Sequence, residues 1–442
     1  MDTSSLPASL DLNSWLSLIG GLLAFVIPII LLVPPVSPRP SDALVQTHSI
    51  AGIQQSKSNI IQEAIEKAPP TIKGLLVYPI KSCAGVELAQ SRVLPHGLEH
   101  DRVFTFAQLK SQFPVAVDAD GNQRDKHSWE FITQRQFARL ALLKIELWLP
   151  DEAKLKRQGL GLTQEAFVTV RFPWKELGWR GILETTAAKF RRGLWAEAER
   201  EVLLPMDFPL GKEIEDKGYT YEPVTIWKDS VMALNMAKEL PEELQLFIGV
   251  SNKLALFRVD PAQLRNVTGN APKKVVAGYQ PVAKFQDAYP LNLINLASVQ
   301  DFDAHVPKDE DLKQVDVFRF RPNIIISGAP AYAEESWKKI RFTRGTSNFH
   351  RELAADVCKL PNVDPVTAVR HPTEPDKSLR THRKVDEGAP LKGCMGMQMV
   401  PMFDDIFATS TPGTVELSDL YGWIGTGMEI AVDEIGKHVI VK

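Results

Sequence analysis

Cys358 is the residue of this chain that is best suited to hold a metal. It lies in the stretch Asp356–Pro365, where a polar turn with two prolines follows it. A thiolate prefers soft or high-valent metal centres, and guanidinium groups bind phosphate in a bidentate manner. A basic tract comes next, comprising Arg370, His371, Lys377, Arg380, His382, Arg383 and Lys384. The combination favours a soft metal carried by an anionic organic ligand.

The other two cysteines are interpreted as packing residues, because free cysteine usually behaves as a small buried hydrophobe. Cys83 and Cys394 have neighbours that are typical of strands and loops. Three cysteines in 442 residues, none of them in a Cys-x-x-Cys pair, exclude a zinc ribbon, an iron–sulfur cluster bound by four cysteines and a disulfide framework. The soluble part is therefore expected in a reducing compartment. A net charge of −3 gives no reason to expect nucleic-acid binding.

The N-terminal region predicts a membrane anchor. The run Trp15–Val33 contains no charged residue and, at 1.5 Å per residue, is long enough to reach about 28 Å, close to the hydrocarbon thickness of a bilayer. Asp2 and Asp11 precede it and a proline-rich stretch follows it, which argues against a cleaved signal peptide. The basic residues Arg39 and Lys57 favour a cytosolic body. We expect a single-pass protein of the mitochondrial outer membrane or the endoplasmic reticulum.

Short apolar runs separated by turn residues begin after this region and predict a largely antiparallel, barrel-like domain. The predicted strands are 75–78, 86–88, 102–107, 140–149, 167–171 and 324–328. Helical patterns are fewer, and they cover 187–201, 231–246 and 298–306. The last of these contains Ser298 and Asp301 at the spacing of a capping box.

Basic residues beside predicted strands are further candidates for anion binding. They occur in His100-Asp101-Arg102, in Thr133-Gln134-Arg135 and in the run Phe318–Asn323. A basic side chain on a surface strand is usually just solvated. Arg321 stands out because it lies where a strand begins, next to Pro322 and Asn323, at the kind of rim position where loops carry functional residues.

Several ordered blocks between Leu75 and Leu420 together resemble the MOSC domain proteins, specifically the branch that contains the mitochondrial amidoxime-reducing component. The blocks are 77–86, 100–102, 320–328, 332–337 and 358–365. The resemblance implies a mainly β fold with α/β elements, in which a MOSC N-terminal β-barrel domain precedes a MOSC β-barrel domain. The predicted organisation is an anchor at 1–40 with its helix at 15–33, a linker at 41–70, the N-terminal domain at 71–225 and the MOSC domain at 226–442.

The resemblance also implies a cofactor and roles for individual residues. Members of the family bind molybdenum cofactor, a pterin dithiolene that bears a phosphate. Cys358 matches the position of the protein thiolate on molybdenum and would be both metal ligand and catalytic residue. The positions that match cofactor-binding elements are Lys81, Arg102, Arg321, Asn323 and Arg383. Several cationic donors are the groups needed to retain a buried pterin phosphate.

The chain departs from the animal members in two places. Val357 precedes the cysteine where animal members carry arginine, so one contact to cofactor or substrate is missing. The region from about 108 to 221 is longer and more charged than in the family. We interpret this region as decoration of the fold. A lid and a partner surface are the less favoured alternatives.

The function implied is that of a molybdenum enzyme that reduces N-hydroxylated small molecules such as amidoximes and hydroxylamines, N–OH to N–H, at a metal that cycles between Mo(IV) and Mo(VI). The sequence contains no flavin fingerprint and no GxGxxG dinucleotide loop, so electrons would come from a separate protein. By resemblance, that donor is a cytochrome b5 with its NADH-dependent reductase, and shared attachment to a membrane would raise the effective concentration of the partners.

Two alternatives stay open. MOSC modules also form the C-terminal part of molybdenum cofactor sulfurases, whose other domain uses pyridoxal phosphate, so the chain could be a non-redox carrier of the cofactor or a relative of sulfur-transfer proteins. No domain with a Schiff-base lysine is visible in the sequence, which argues against sulfurase activity itself. A membrane scaffold that has lost its cofactor is the other alternative, and the presence of Cys358, Lys81, Arg102 and Arg321 argues against it.

Overall fold

The structure is a computed structural model. It describes residues 11–32, 39–53, 58, 60, 69–111, 116–117, 123–124, 127–161, 163, 165–344, 347–349, 353–356, 362–403 and 419–439. Contacts divide the chain into a small unit, residues 1–43 and 173–201, and a large unit, residues 44–172 and 202–442.

The chain is mainly β with α/β elements, as predicted. The helices are α1 (Leu12–Leu32), α2 (Glu152–Arg157), α3 (Trp179–Arg192), α4 (Gly211–Lys217), α5 (Glu242–Ile248), α6 (Lys274–Ala277), α7 (Leu296–Ala304) and α8 (Asp376–His382). The strands are β1 (His48–Ala51), β2 (Thr71–Val77), β3 (Val86–Leu88), β4 (Gln90–Leu94), β5 (Gly97–Leu98), β6 (Phe104–Ser111), β7 (Ala116–Val117), β8 (Gln123–Arg124), β9 (His127–Phe131), β10 (Lys144–Pro150), β11 (Phe167–Pro173), β12 (Glu199–Pro205), β13 (Thr220–Ile226), β14 (Asp229–Asn235), β15 (Leu254–Val259), β16 (Arg265–Asn266), β17 (Val282–Ala283), β18 (Leu291–Asn295), β19 (Ile324–Ser327), β20 (Trp337–Arg344), β21 (Ser347–Phe349), β22 (Leu353–Asp356), β23 (Met397–Pro401), β24 (Gly422–Gly425) and β25 (Glu429–Ile435).

A closed barrel forms from β13, β14, β15, β6 and β9, in that order around the barrel. The pair β9 and β13 closes it in parallel, with Val224 opposite Trp129. Its interior is filled by apolar side chains, including Phe131, Phe257 and Phe285. Closure removes exposed strand edges, and the inward side chains form the core. Strands β14 and β15 follow residue 225, and the domain boundary predicted there stays a prediction.

The largest sheet runs in the order β21-β20-β25-β2-β19-β18-β23-β22, with β3 paired to β2. Strands β18 and β19 are parallel and entirely buried. A parallel strand that is covered on both faces reads as a continuous apolar run, which explains why the segment beginning at Ile324 was recognised as a buried strand. A smaller sheet has the order β1-β10-β11-β12, and another has the order β24-β4-β5.

Helix α1 lies in the region for which the membrane anchor was predicted. The helix coincides with most of the predicted one. Asn13, Ser14 and Ser17 lie in its first turns, and Pro28 lies inside it. Proline removes a main-chain hydrogen-bond donor from a helix interior. Within the described ranges we find no helix that combines the length and the apolar character needed to cross a bilayer.

Two of the predicted helices are partly wrong. The stretch 231–246 is divided among strand β14, a short 3-10 turn and helix α5. Pairing of β14 with both β13 and β15 in the barrel outweighs local helix propensity here. The stretch 187–201 contains the end of α3, which stops before Gly193 at φ 105°, and the start of β12.

The predicted helix 298–306 corresponds to α7, but its cap was assigned wrongly. Asn295 caps the helix, and its side chain accepts a hydrogen bond from the Ala297 N–H at 3.3 Å. The Ser298 hydroxyl instead donates to the Glu334 carboxylate at 2.7 Å. Because the Ser298 hydroxyl is hydrogen-bonded to the buried Glu334, it does not form the predicted capping box.

Candidate functional site

A cavity in the large unit contains four of the residues singled out from the sequence. Lys81, Arg102, Arg321 and Asn323 all line it, together with the Thr133-Gln134-Arg135 segment. The cavity encloses about 750 Å³ of space that is partly open to solvent. The residues come from segments far apart in the chain, so the cavity exists only in the folded protein.

Four residues that line this cavity have a left-handed backbone without being glycine. Their φ angles are 66° at Ser82, 47° at Arg102, 56° at Trp227 and 52° at Arg321. Such angles are uncommon for residues with a side chain, and strained backbone concentrates at functional sites. Residue types gave no indication of these angles before the structure was determined.

Tyr78, directly after β2, carries two guanidinium groups on its ring. The Cζ atom of Arg102 lies 4.4 Å from the ring centroid, and that of Arg321 lies 4.2 Å from it. Gly85 packs against the same ring, since a Cβ atom there would lie 2.7 Å from Tyr78 Cε1. Burial raises the pKa of Tyr78 to about 12, against the effect of the two arginines. The phenol is therefore neutral at physiological pH and serves as a stacking surface.

Arg102 is held by a buried carboxylate. Its Nη1 atom donates to Asp101 at 2.8 Å to Oδ1 and 2.9 Å to Oδ2. Asp101 is fully buried and also accepts a hydrogen bond from the Tyr78 N–H at 2.9 Å. The side chain of Arg102 is 12% exposed. The carboxylate neutralises this arginine and fixes its position at the cavity wall.

Arg321 has no such counterion among the described residues. It follows the 3-10 turn Val317–Phe320, and its Nη2 atom is buried without a hydrogen-bond partner in the part of the chain that the structure describes. Burial lowers the pKa of its guanidinium, and the positive charge of Arg102 adds to this effect. An unsatisfied buried donor on a cation is costly. An anion in the cavity would satisfy it.

Lys81 is the third cation of the cavity. It is 5% exposed, and its Nζ atom donates to the Phe285 carbonyl oxygen at 2.7 Å and forms an ion pair with Asp287. Burial lowers the pKa of Lys81 to about 8, although Asp287 opposes the shift. Burial would raise the pKa of Asp287, but the ion pair with Lys81 outweighs it and lowers that pKa. Trp227 donates from Nε1 to the same carboxylate at 3.1 Å.

Two asparagines that line the cavity differ in whether their side-chain amide oxygen already accepts a hydrogen bond. The Asn323 amide is engaged with main-chain groups, accepting from the Asn292 N–H at 3.2 Å and donating to the Leu76 carbonyl oxygen at 3.1 Å. It therefore joins β18 to β2. The Oδ1 atom of Asn292 is buried without a partner in the described part of the chain. Asn292 was not predicted from the sequence, because its neighbours resemble an ordinary buried strand.

Arg383 does not line this cavity. It forms an ion pair with Glu335, and its Cζ atom lies 3.7 Å from the centroid of the Tyr332 ring. Its proposed contact with the cofactor has no support from this geometry. Its predicted role nonetheless stays a prediction.

Cys358 lies outside the described residues. Asp356, two positions earlier, pairs across β22 and β23 with Gln398, and Gln398 lines the cavity. The other two cysteines are buried free thiols. Burial raises the pKa of Cys83 to about 12 and that of Cys394 to about 11. They are protonated and shielded at neutral pH, as expected for packing residues.

The cavity suits an organic anion. Lys81, Arg102, Arg135 and Arg321 line it against one acidic lining residue, Asp287. Two residues of this lining have a buried atom without a hydrogen-bond partner among the described residues, a cationic donor on Arg321 and an amide acceptor on Asn292. A phosphate would satisfy the donor, and a ring N–H would satisfy the acceptor. The donor set fits a pterin that bears a phosphate.

Comparison with known proteins agrees with this fold. Residues 69–176 match the MOSC N-terminal beta barrel domain, and residues 280–419 match the MOSC domain. The chain is 24% identical to the mitochondrial amidoxime-reducing component 1 of Mus musculus over 359 residues, which cover 79% of this chain and 81% of that protein. The protein of the same name from Homo sapiens is 24% identical over 360 residues, with coverage of 79% and 81%. The mitochondrial amidoxime reducing component 2 of Bos taurus is 26% identical over 353 residues, with coverage of 79% and 82%. The chain belongs to the MOSC domain proteins.

Proposed function

We propose that this chain is a molybdenum-cofactor-dependent oxidoreductase that reduces N-hydroxylated small molecules. The reaction is the conversion of N–OH to N–H, which consumes two electrons and two protons and releases water. The observation that carries the proposal is the cavity lined by Lys81, Arg102 and Arg321, in which a buried guanidinium nitrogen of Arg321 has no hydrogen-bond partner among the described residues. The relatives named amidoxime-reducing components supply the reaction class.

The chain's own residues would hold the cofactor as follows. Arg321 and Lys81 bind the phosphate as charged donors, while Arg102, neutralised by Asp101, orients Arg321 through its main-chain oxygen. Asn292 accepts from the pterin ring, and Asn323 maintains the β18 to β2 junction on which Asn292 lies. Arg383 stays a proposed cofactor-binding residue on the basis of the resemblance alone. When bound, the cofactor supplies a redox-active metal that takes up the substrate oxygen.

Cys358 is the proposed thiolate ligand of the molybdenum. Its support is the family resemblance together with the position of Asp356, whose strand partner Gln398 lines the cavity. A thiolate suits a soft or high-valent metal better than any hydroxyl.

Electrons would come from a separate protein. We propose a cytochrome b5 that is reduced by an NADH-dependent reductase, on the basis of the resemblance. The relatives are named as mitochondrial components, and we extend that location to this chain.

The test combines metal analysis with turnover. The purified chain is expected to contain molybdenum in proportion to protein and to convert an aryl amidoxime to the amidine with a chemical electron donor. Arg321→Ala should lose most of the molybdenum, whereas Arg157→Ala, on an exposed arginine of α2, should not. Molybdenum without turnover would support the non-redox carrier. Absence of molybdenum after expression in a host that makes the cofactor would refute the proposal.

A further inference from the structure

A second cavity, of about 1,060 Å³, shares Arg135 with the first. It is strongly basic. Arg135, Arg370, Arg380 and Lys392 line it, and Asp376 is the acidic residue of its lining. Cations that face one concave surface reinforce each other's potential and attract anions more strongly than scattered surface charges do.

A hydrogen bond links the rims of the two cavities. The Nη2 atom of Arg370 donates to the carbonyl oxygen of Gln134 at 3.0 Å, and Gln134 lines the first cavity. Arg370 therefore holds the segment that carries Arg135. The main chain at Asp376 is fixed in turn, because its N–H donates to Asn362 Oδ1 at 3.0 Å.

A glycine places Lys392 beside helix α8. A Cβ atom at Gly393 would lie 2.5 Å from Leu379 and 2.7 Å from the Arg380 nitrogen, so the main chain at this point approaches α8 more closely than any other residue would allow. Arg380 is paired with Asp376 on α8. Lys392 is exposed, and its side chain has no hydrogen bond or ion pair within the described residues. One of the four cations is thus available to a ligand without breaking a pair.

We propose that this second cavity binds an anionic group of the substrate, a carboxylate or a phosphate, while the N–OH group occupies the first cavity. This inference rests on the proposed function and specifies its substrate class. The shared residue Arg135 makes the two cavities neighbours, so one molecule can reach both. The lining of the second cavity carries four cations and one carboxylate, Asp376.

The kinetic test compares two aryl amidoximes that differ only in a para carboxylate. In the cofactor-loaded enzyme, the double variant Lys392→Gln with Arg380→Gln is expected to raise KM for the carboxylated substrate about tenfold, with kcat unchanged. KM for the neutral substrate should stay within about twofold. Lys377→Gln is the matched control, since Lys377 is an exposed cation on the same helix that does not line the cavity. Equal effects on both substrates, or none, would overturn the inference.

A binding measurement separates this inference from the proposed function. Calorimetric titration with para-carboxybenzamidine needs no turnover. This ligand should bind the unmodified chain at least fivefold more tightly than it binds the double variant. If no amidoxime is reduced and this difference persists, the proposed reaction fails while the anion site stands. If the double variant instead loses molybdenum, the cavity holds part of the cofactor, and the substrate assignment is wrong.

Discussion

Arg102 donates a hydrogen bond from Nη2 to the main-chain oxygen of Arg321 at 3.2 Å, although 219 positions separate the two residues. Both guanidinium groups lie over the ring of Tyr78. Asp101 compensates the charge of Arg102, whereas Arg321 has a buried nitrogen without a hydrogen-bond partner among the described residues. Among the described residues, the arrangement therefore holds two cations close together with one counterion, and an anion would complete it.

Alanine substitution should destabilise the cofactor-free protein at Arg102 but not at Arg321. Arg102→Ala leaves the buried Asp101 without its cation and should lower the free energy of unfolding by roughly 3 kcal/mol. Arg321→Ala removes an unsatisfied buried donor and should leave it unchanged or raise it by up to about 1 kcal/mol. Denaturant unfolding of both variants measures this. Both should contain less molybdenum, and an Arg321→Ala protein that is as destabilised as Arg102→Ala would contradict the assignment.

Anion binding at the first cavity should weaken as the pH rises through the pKa of Lys81, which is about 8. The folded-state pKa lies below the ordinary value of a lysine, so Lys81 is mostly charged at pH 7 and mostly neutral at pH 9. Sulfate is a suitable probe because its charge is constant over this range, and its affinity should fall about tenfold between the two pH values. Calorimetry measures the affinity. The dependence should disappear in Lys81→Gln, and an equal slope in that variant would point to another group.

The stability of the protein should decrease between about pH 5 and pH 7 because of Glu334. This carboxyl is fully buried, and burial raises its pKa from the ordinary 4.5 to about 7. Between these values the folded state holds a proton that the unfolded state has released. The contribution of Glu334 to the free energy of unfolding is therefore complete below the unfolded-state pKa and is lost as the pH rises through 7. Its size is at most about 3 kcal/mol.

Glu334→Gln is the control for this effect. The amide oxygen can still accept the hydrogen bond from Ser298, and it has no charge to bury. Urea unfolding of the variant should show little dependence on pH over the same interval, and the variant should be the more stable protein at pH 7. A slope as steep as that of the unmodified chain would assign the titration to another carboxyl.

The three cysteines should differ sharply in their contribution to turnover. Cys358→Ser should abolish amidoxime reduction, because a hydroxyl is a harder and less polarisable metal ligand than a thiolate. Cys83→Ser and Cys394→Ser should retain turnover with a modest loss of stability, since both are buried thiols with raised pKa values. Steady-state rates of the three variants, with their molybdenum content measured in parallel, test this prediction. Full activity of Cys358→Ser at full molybdenum content would exclude the ligand role.

Asp364 should be far more important for stability than an exposed acidic residue in a similar ion pair. It pairs with Arg319 at 2.6 Å, and the side chain of Arg319 is 2% exposed. Asp364→Ala would leave that cation buried, at a cost of roughly 3–5 kcal/mol. Asp433→Ala breaks the more exposed pair with Arg341 and should cost no more than about 1 kcal/mol. Thermal unfolding of the two variants compares them, and similar losses would show that Arg319 finds another partner.

Local features of the fold were predictable because they depend on neighbouring residues. The strand Leu75–Val77, the buried run beginning at Ile324 and the strand within 167–171 are all present in the structure. The neighbours of Cys83 and Cys394 in the sequence likewise predicted that both cysteines are packing residues. The helix predicted at 231–246 failed because β14 pairs with two barrel strands, and such pairing overrides local propensity.

The sequence shows which residue types could form the candidate site, but it does not show which of these residues come together in space. Cys358 and the basic tract at 370–384 suggested an anionic metal cofactor, and the family resemblance added the cations at 81, 102 and 321. Which of them share a cavity depends on contacts over long separations, such as the bond from Arg102 to Arg321. The left-handed backbone at Trp227 and the unpartnered amide of Asn292 also arise only in the folded chain. The sequence by itself therefore determined the chemistry available, whereas the tertiary structure decided which groups are buried, paired or left for a ligand, because burial and pairing are properties of the assembled fold.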